Sequence, residues 1–125
     1  MKTLLIGLLL LPLSATMVAQ DMSGITKALA KGDAQALSAH LAADVELSLD
    51  GEDDILAKAE AVKKLQAFFA SRKVSAFNEK HQGASKGNGS HYAIGDMVAG
   101  GKSYGVFLLL NIVGNKYQIA ELRIE

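Results

Sequence analysis

The sequence predicts an α+β domain in which helices of the N-terminal half pack on a curved antiparallel sheet formed mainly by the C-terminal half. Three observations support this class. Before residue 73, apolar residues mostly recur every three or four positions, as in helices that bury one face. After residue 73 the chain consists of apolar-rich stretches with the lengths of strands. Three glycine-containing segments separate these stretches and are short enough to join antiparallel neighbours.

The first 20 residues have the features of a secretory signal peptide. A lysine precedes the apolar run Leu4–Leu11, and a proline and small residues follow as far as Gln20. The run is shorter than the roughly 20 residues that span a bilayer, so we expect cleavage and no membrane span afterwards. The predicted organisation is a signal peptide at 1–20 and a single domain at 21–125, exported to the periplasm or the extracellular space.

Charge and composition exclude several classes of partner and site. The chain has 13 basic and 13 acidic side chains, and removal of residues 1–20 takes away Lys2 and no acid, which leaves a net charge of −1. A nearly neutral domain without a basic stripe is not expected to bind nucleic acid. The sequence contains no cysteine, so no disulfide framework is available. We expect no metal and no cofactor.

Three helices and one short hairpin are predicted in the N-terminal half. Ser23 or Asp21 caps the first helix, which ends at Gly32, and Asp33 caps the second. The segment VELSLD then alternates as a strand with one exposed face, and DDILA is a short return strand after a glycine turn. The longest helix covers residues 58–72, and its apolar stripe is expected to lie on the sheet.

The C-terminal half is predicted to form four strands, near residues 74–82, 90–99, 102–113 and 116–124. Gly100-Gly101 and Gly114-Asn115 have the composition of two-residue hairpin loops. Such loops set the register, and the numbers of paired residues then sum to 201 in the first hairpin and 229 in the second.

This register divides the apolar residues between two faces of the sheet. The face expected to seat the helices carries Tyr92, Ile94, Phe107, Leu109, Ala120, Leu122 and Ile124. The predicted outer face carries the candidate partner-binding residues Tyr104, Val106, Leu108, Tyr117, Ile119, Glu121 and Arg123. Because one layer of helices cannot cover two apolar faces, we expect a homodimer through the outer face. Glu121 and Arg123 either fix the register of that dimer or make the surface less adhesive.

The order of these elements resembles the nuclear transport factor 2-like (cystatin-like) fold, a cone also used by ketosteroid isomerases and scytalone dehydratase. The matching segments are KGDAQALSAHLAADVEL, AKAEAVKKLQAFF, His81-Gln82-Gly83, Tyr92-Ala93-Ile94-Gly95 and the ending AELRIE. They also resemble a family of small secreted bacterial proteins called domain of unknown function 4783. The resemblance implies a fold and a compartment. It implies no catalytic residues, because that family has no established activity.

Tyr92 and Asp96 form the clearest candidate for catalysis. The register places them on one face of a strand, with Gly95 beside Asp96 and Gly105 opposite it. A carboxyl group in apolar surroundings can transfer protons, and a tyrosine hydroxyl can stabilise an oxyanion, as in a small isomerase or lyase. The competing interpretation is that Asp96 is solvated near the Gly100-Gly101 turn.

The three histidines are weaker candidates for a catalytic or metal-binding role. His81 with Glu79 suggests either a general base or an exposed surface pair, and the addition of His91 would suggest a metal site without a recognised ligand spacing. His40 and Asp44 lie four residues apart, but the helical period ends at Asp44, so we expect no catalytic pair there.

The leading hypothesis is therefore a secreted, non-enzymatic module that binds a small apolar ligand or a protein partner, most simply a second copy of itself. Tyr92, Asp96, Phe107 and Leu109 are the candidates for lining a ligand pocket between sheet and helices. The alternative is an enzyme of the ketosteroid isomerase-like type that uses Tyr92 and Asp96.

Overall fold

The computed structural model describes residues 18–84 and 89–125 and confirms the predicted α+β architecture. Its elements are α1 (Val18–Lys31), α2 (Ala34–Ser38), β1 (Leu41–Leu49), β2 (Glu52–Ala57), α3 (Lys58–Ser71), β3 (Val74–Ala84), β4 (Ser90–Ala99), β5 (Lys102–Val113) and β6 (Lys116–Ile124). Residues 1–17, which hold most of the predicted signal peptide, lie outside the described residues. Within the described ranges, no helix combines the length and apolar character needed to cross a membrane.

The six strands form one sheet in the order β2-β1-β6-β5-β4-β3. All neighbours are antiparallel except β1 and β6, which run parallel. The β1–β2 hairpin thus extends the sheet of the C-terminal half, because β1 pairs with the side of β6 that does not contact β5. As a result, β2 and β3 are the two edges, and residues far apart in sequence meet where β1 lies beside β6.

The second helix is shorter than its sequence pattern predicts. Asp33 caps it as expected, since its carboxylate accepts a hydrogen bond from the Ala36 amide at 3.0 Å. The helix nevertheless ends at Ser38, and β1 begins at Leu41. The amide of Ile119 donates to the carbonyl of His40 at 2.7 Å, so pairing with β6 draws this segment into the sheet.

The strand registers confirm one predicted hairpin completely and the other in part. Between β4 and β5 the pairs include Tyr92 with Leu109, as the two-residue loop predicts. Between β5 and β6 the expected pairing holds as far as Leu110 with Ile119. A bulge then shifts the register by one residue, so that Leu108 pairs with Leu122. A one-residue shift moves every later side chain of β6 to the other face of the sheet.

The predicted assignment of faces is wrong for most of the sheet. The helices cover the face expected to be the outer one, and its candidate partner-binding residues Tyr104, Val106, Leu108, Tyr117 and Ile119 are buried in the core. Tyr92, Ile94, Phe107 and Leu109, expected beneath the helices, lie on the opposite face. The bulge brings Leu122 and Ile124 to the helix side, where both are fully buried. One face therefore gathers the largest set of apolar residues, which is the set that the helices cover.

Candidate functional site

The surface of the sheet that faces away from the helices is the candidate site and is called the outer sheet face below. Its residues include Glu46, Ile55, Tyr92, Ile94, Asp96, Gly105, Phe107, Leu109, Glu121 and Arg123. Cross-strand pairing places them together, because directly opposed residues of neighbouring strands share a face. Two continuous rows result: one runs from Ile55 through Glu46 and Glu121 to Leu109, and the other from Arg123 through Phe107 to Ile94.

Tyr92 and Asp96 share this face but do not converge. The Tyr92 hydroxyl forms a hydrogen bond with Nε2 of His81 at 2.7 Å, whereas Asp96 forms an ion pair with Nζ of Lys80 at 2.7 Å. Four residues of extended strand separate the two side chains by about 13 Å. The Asp96 side chain is 46% exposed. The geometry therefore does not support the shared catalytic cavity that isomerase or lyase chemistry would require.

The predicted ligand pocket between sheet and helices is also wrong. Phe107 and Leu109 lie on the outer sheet face, and the positions beneath the helices are filled by packed side chains. Met97, Leu110 and Ile119 are completely buried there. An apolar ligand would have to displace these buried side chains.

A charged centre lies where β1 and β6 run side by side. Glu46 pairs directly with Glu121, and Arg123 Nε donates a hydrogen bond to Glu121. The hydrogen bond between the two carboxyl groups raises the pKa of Glu46, and the negative charge of Glu121 raises it further. Arg123 lowers the Glu46 pKa and Asp53 raises it, both to a smaller extent. The Glu46 carboxyl therefore keeps its proton to a higher pH than a free glutamate does, because its pKa is raised.

The outer sheet face also contains a hollow of about 380 Å³ above Gly105. Ile94 and Phe107 form its apolar walls, and charged side chains surround them. A Cβ atom added at Gly105 would meet only the Glu125 carbonyl oxygen, at 3.7 Å. The hollow is therefore open because residue 105 has no side chain, while its neighbours on both strands do.

The histidines do not form the clusters that the sequence left open as alternatives. A bulge between Glu79 and His81 breaks the alternation of β3, so the partner of His81 is Tyr92 rather than Glu79. His91 lies on the other face of the sheet, where its ring stacks on Tyr117 with a centroid separation of 5.1 Å. Among the described residues, no three histidine or carboxylate side chains are placed to hold a metal ion.

His40 and Asp44 are likewise separated by the local structure. The helix that would have placed them one turn apart ends at Ser38. The His40 ring packs against α1, since a Cβ atom at Gly24 would lie 3.1 Å from its Nε2. Asp44 lies in β1 with an exposed side chain. The two side chains therefore have no common site.

Sequence reasoning missed two residues of the outer sheet face, Glu46 and Ile55, whereas it did place Gly105 opposite Asp96. Ile55 is an isolated apolar residue in an acidic return strand, and Gly105 interrupts an otherwise apolar strand. An internal strand glycine is a known sign of a bulge or of open space above the sheet. Nothing in the local sequence indicates that Glu46 pairs with Glu121, because that contact depends on the parallel pairing of β1 with β6.

Comparisons with known proteins agree with this architecture. A family model described as "Domain of unknown function (DUF4783)" matches residues 22–125. A crystal structure of a DUF4783 family protein from Bacteroides ovatus is 33% identical in sequence, with a TM-score of 0.75 over 82% of this chain and 91% of that one. A search of curated proteins finds no significant match.

More distant structures share the fold. A protein of unknown function with a cystatin-like fold from Nostoc punctiforme is 14% identical, with a TM-score of 0.61 over 86% of each chain. An NTF-2 like protein of unknown function from Shewanella oneidensis is 15% identical, with a TM-score of 0.59 over 85% of this chain and 93% of that one. At these identities the likeness extends to the fold alone.

Proposed function

The chain belongs to the family described as Domain of unknown function (DUF4783), and we propose that it is an exported, non-enzymatic domain that associates with a second copy of itself through the outer sheet face. The observation that carries the proposal is the exposed apolar row on that face. Ile94 is 40% exposed, and Phe107 and Leu109 are half-buried beside it. An apolar row flanked by charged residues is the usual composition of a protein-binding surface.

The dimensions of the face suit a second sheet as the partner. Neighbouring strands lie about 4.8 Å apart, so a six-stranded sheet is about 24 Å wide. Strands of about nine residues are about 30 Å long, which gives an area of about 700 Å². Stable complexes bury about 800 Å² on each partner, and a second sheet can pack face to face on the first at about 10 Å. A second copy supplies such a sheet.

The charges of the face support self-association because they are self-complementary. Glu121 and Arg123 lie two residues apart on the same face of β6 and carry opposite charges. A two-fold axis that relates two copies can place the arginine of each close to the glutamate of the other. In a face-to-face dimer each of these two charges can therefore lie near a charge of the other sign, so the pair does not disfavour association.

Export is the second part of the proposal and rests on the signal-peptide features of residues 1–20. The compartment is the periplasm or the extracellular space. A small apolar ligand beneath the helices and catalysis by Tyr92 and Asp96 are not proposed, because the core is filled and the two side chains are held apart by different partners.

A matched pair of substitutions tests self-association. Ile94 on the outer sheet face is 40% exposed, and Ile112, near the β5–β6 hairpin, is 38% exposed. Ile94→Lys places two charges in the proposed interface, so we expect at least about tenfold weaker association, whereas Ile112→Lys should behave like the wild type. Sedimentation equilibrium over a range of protein concentrations measures the effect. A wild-type protein that stays monomeric at about 100 µM, where an association with a micromolar Kd is nearly complete, would overturn the proposal.

A further inference from the structure

We propose that Ile55 of each copy inserts into the hollow above Gly105 of the other copy, with the two-fold axis passing between β1 and β6 over Ser48 and Arg123. The inference rests on the proposed self-association through the outer sheet face. It names the contact that sets the geometry of the dimer.

Ile55 has the properties of an inserting side chain. Ile55 is 77% exposed, which is the highest value for a large apolar residue in the ranges 22–84 and 89–125. It stands on the edge strand β2, and its pairing with Glu46 places it on the outer sheet face. The three residues that precede it in this strand, Glu52, Asp53 and Asp54, are acidic and exposed. An isolated apolar side chain among charges gains most from a partner that removes it from water.

The hollow above Gly105 has the properties of a receiving site. Its volume of about 380 Å³ accommodates an aliphatic side chain, and Ile94 and Phe107 offer apolar walls. The carboxylates at its rim already have partners within the chain. Asp96 is paired with Lys80 at 2.7 Å, and Glu125 accepts a hydrogen bond from the Ser48 hydroxyl at 2.5 Å. An apolar side chain can therefore enter without leaving these charges unpaired.

The strand order makes the two features reciprocal. Ile55 lies on β2, the first strand across the sheet, and the hollow lies over β5 and β4, the fourth and fifth. The two are thus about three and a half strand spacings, or about 17 Å, apart across the sheet. They are also offset by four residues, or about 13 Å, along the strands, because Ile55 lies in the row of Leu109. The midpoint falls between β1 and β6, the second and third strands, where Ser48 pairs with Arg123.

A two-fold axis that lies between the two sheets, over this midpoint and at right angles to the line from Ile55 to the hollow, exchanges these two positions. It brings Ile55 of each copy over the hollow of the other, so both contacts form together and the assembly closes as a dimer. The same axis gathers the charged centres of both copies, with Arg123 beside each carboxyl pair. The apolar contacts then lie on both sides of a central polar region.

Two substitutions test the two sides of the contact separately. Ile55→Ala removes the inserting side chain, and Gly105→Leu fills the hollow. Gly105 has no strained backbone angle and open space above it, so the leucine fits the monomer. Each change removes both reciprocal contacts, and we expect the Kd of the dimer to rise at least about tenfold. Ile112→Ala, at an exposed isoleucine outside the outer sheet face, is the control and should leave the Kd unchanged.

Mixing the two variants gives the most direct result. A heterodimer of the Ile55→Ala and Gly105→Leu chains keeps one intact contact, because one chain retains the isoleucine and the other retains the open hollow. Native mass spectrometry resolves the three dimers by mass. We expect more heterodimer than the statistical share, and less dimer in total than for the wild type.

The outcomes separate this inference from the proposed function. If the wild type dimerises and Ile94→Lys prevents it, but Ile55→Ala and Gly105→Leu dimerise like the wild type, the face is correct and the reciprocal insertion is wrong. A mixture with only the statistical share of heterodimer would also overturn it. A monomeric wild type would remove the proposed function together with the inference. Circular dichroism of each variant checks that it is folded, and Ile55→Ala, at an exposed position, keeps the test open if Gly105→Leu does not fold.

Discussion

Gly95 and Gly105 allow a sharp test of the sheet packing. They lie on adjacent strands, but the space beside the Gly95 Cα is filled and the space beside the Gly105 Cα is open. A Cβ atom at Gly95 would lie 2.6 Å from the carbonyl oxygen of Asn78 and 2.8 Å from the Phe77 ring. The first contact is with backbone, so β3 would have to move away from β4. Gly95→Ala should therefore destabilise the fold, while Gly105→Ala should not, since its nearest neighbour, the Glu125 carbonyl oxygen, would be 3.7 Å away.

The expected magnitude follows from the cost of overpacking. Forcing a methyl group into a filled site typically costs about 1–3 kcal/mol. Both substitutions also lower the entropy of the unfolded chain by a similar amount, which stabilises the protein by about 0.4–1 kcal/mol. The difference between the variants therefore isolates the clash. For a domain of this size, 1 kcal/mol changes Tm by about 4–8 °C, so Gly95→Ala should melt about 5–20 °C below Gly105→Ala.

Urea unfolding followed by circular dichroism is the suitable assay, because the sequence contains no tryptophan. The protein concentration should be below that of association, so that the dimer does not contribute to stability. Free energies of unfolding that agree within about 0.5 kcal/mol between the two variants would refute the close approach of β3 to Gly95.

Two further predictions concern the core and the charged centre. Leu110 is completely buried, so Leu110→Ala should lower the free energy of unfolding by about 2–5 kcal/mol; a loss below 1 kcal/mol in urea titrations would contradict the packed core. The pKa of Glu46 is raised by Glu121, with smaller opposing and supporting effects of Arg123 and Asp53, so its protonation stabilises the folded state. This contribution is complete below the ordinary value of 4.5 and is lost as pH rises through the raised pKa, so acidification from pH 7 towards 4.5 should stabilise the wild type relative to Glu46→Gln. An equal stability difference at both pH values would contradict the carboxyl pair.

The local elements could be predicted because their signals are local. The glycine pair at 100–101 sets the β4–β5 register, and the observed pairs match it. The bulge near Ala120 could not be predicted in the same way, because one extra residue leaves no local pattern. It decides that Leu122 and Ile124 point into the core, and that Glu121 and Arg123 lie with Phe107 rather than with Val106.

The candidate site could be predicted only in part, for a related reason. Glu121 and Arg123 were identified as charges on an apolar sheet, and they do lie on the face away from the helices. Their neighbour Glu46 comes from a strand more than 70 residues earlier in the chain, so the carboxyl pair exists only because β1 lies parallel to β6. The open space above Gly105 likewise depends on which face the helices leave uncovered.

The sequence by itself determined the class of the protein: its helices, its strands, two tight turns and the α+β order follow from periodicity and glycine placement. Alternation along a strand shows which side chains share a face, but not which face is buried, because both faces here are apolar. Only the tertiary structure decided that question, through helix packing, the β6 bulge and the parallel strand pair. Those contacts join residues distant in sequence, and they left Ile55, Ile94 and the hollow above Gly105 on the surface.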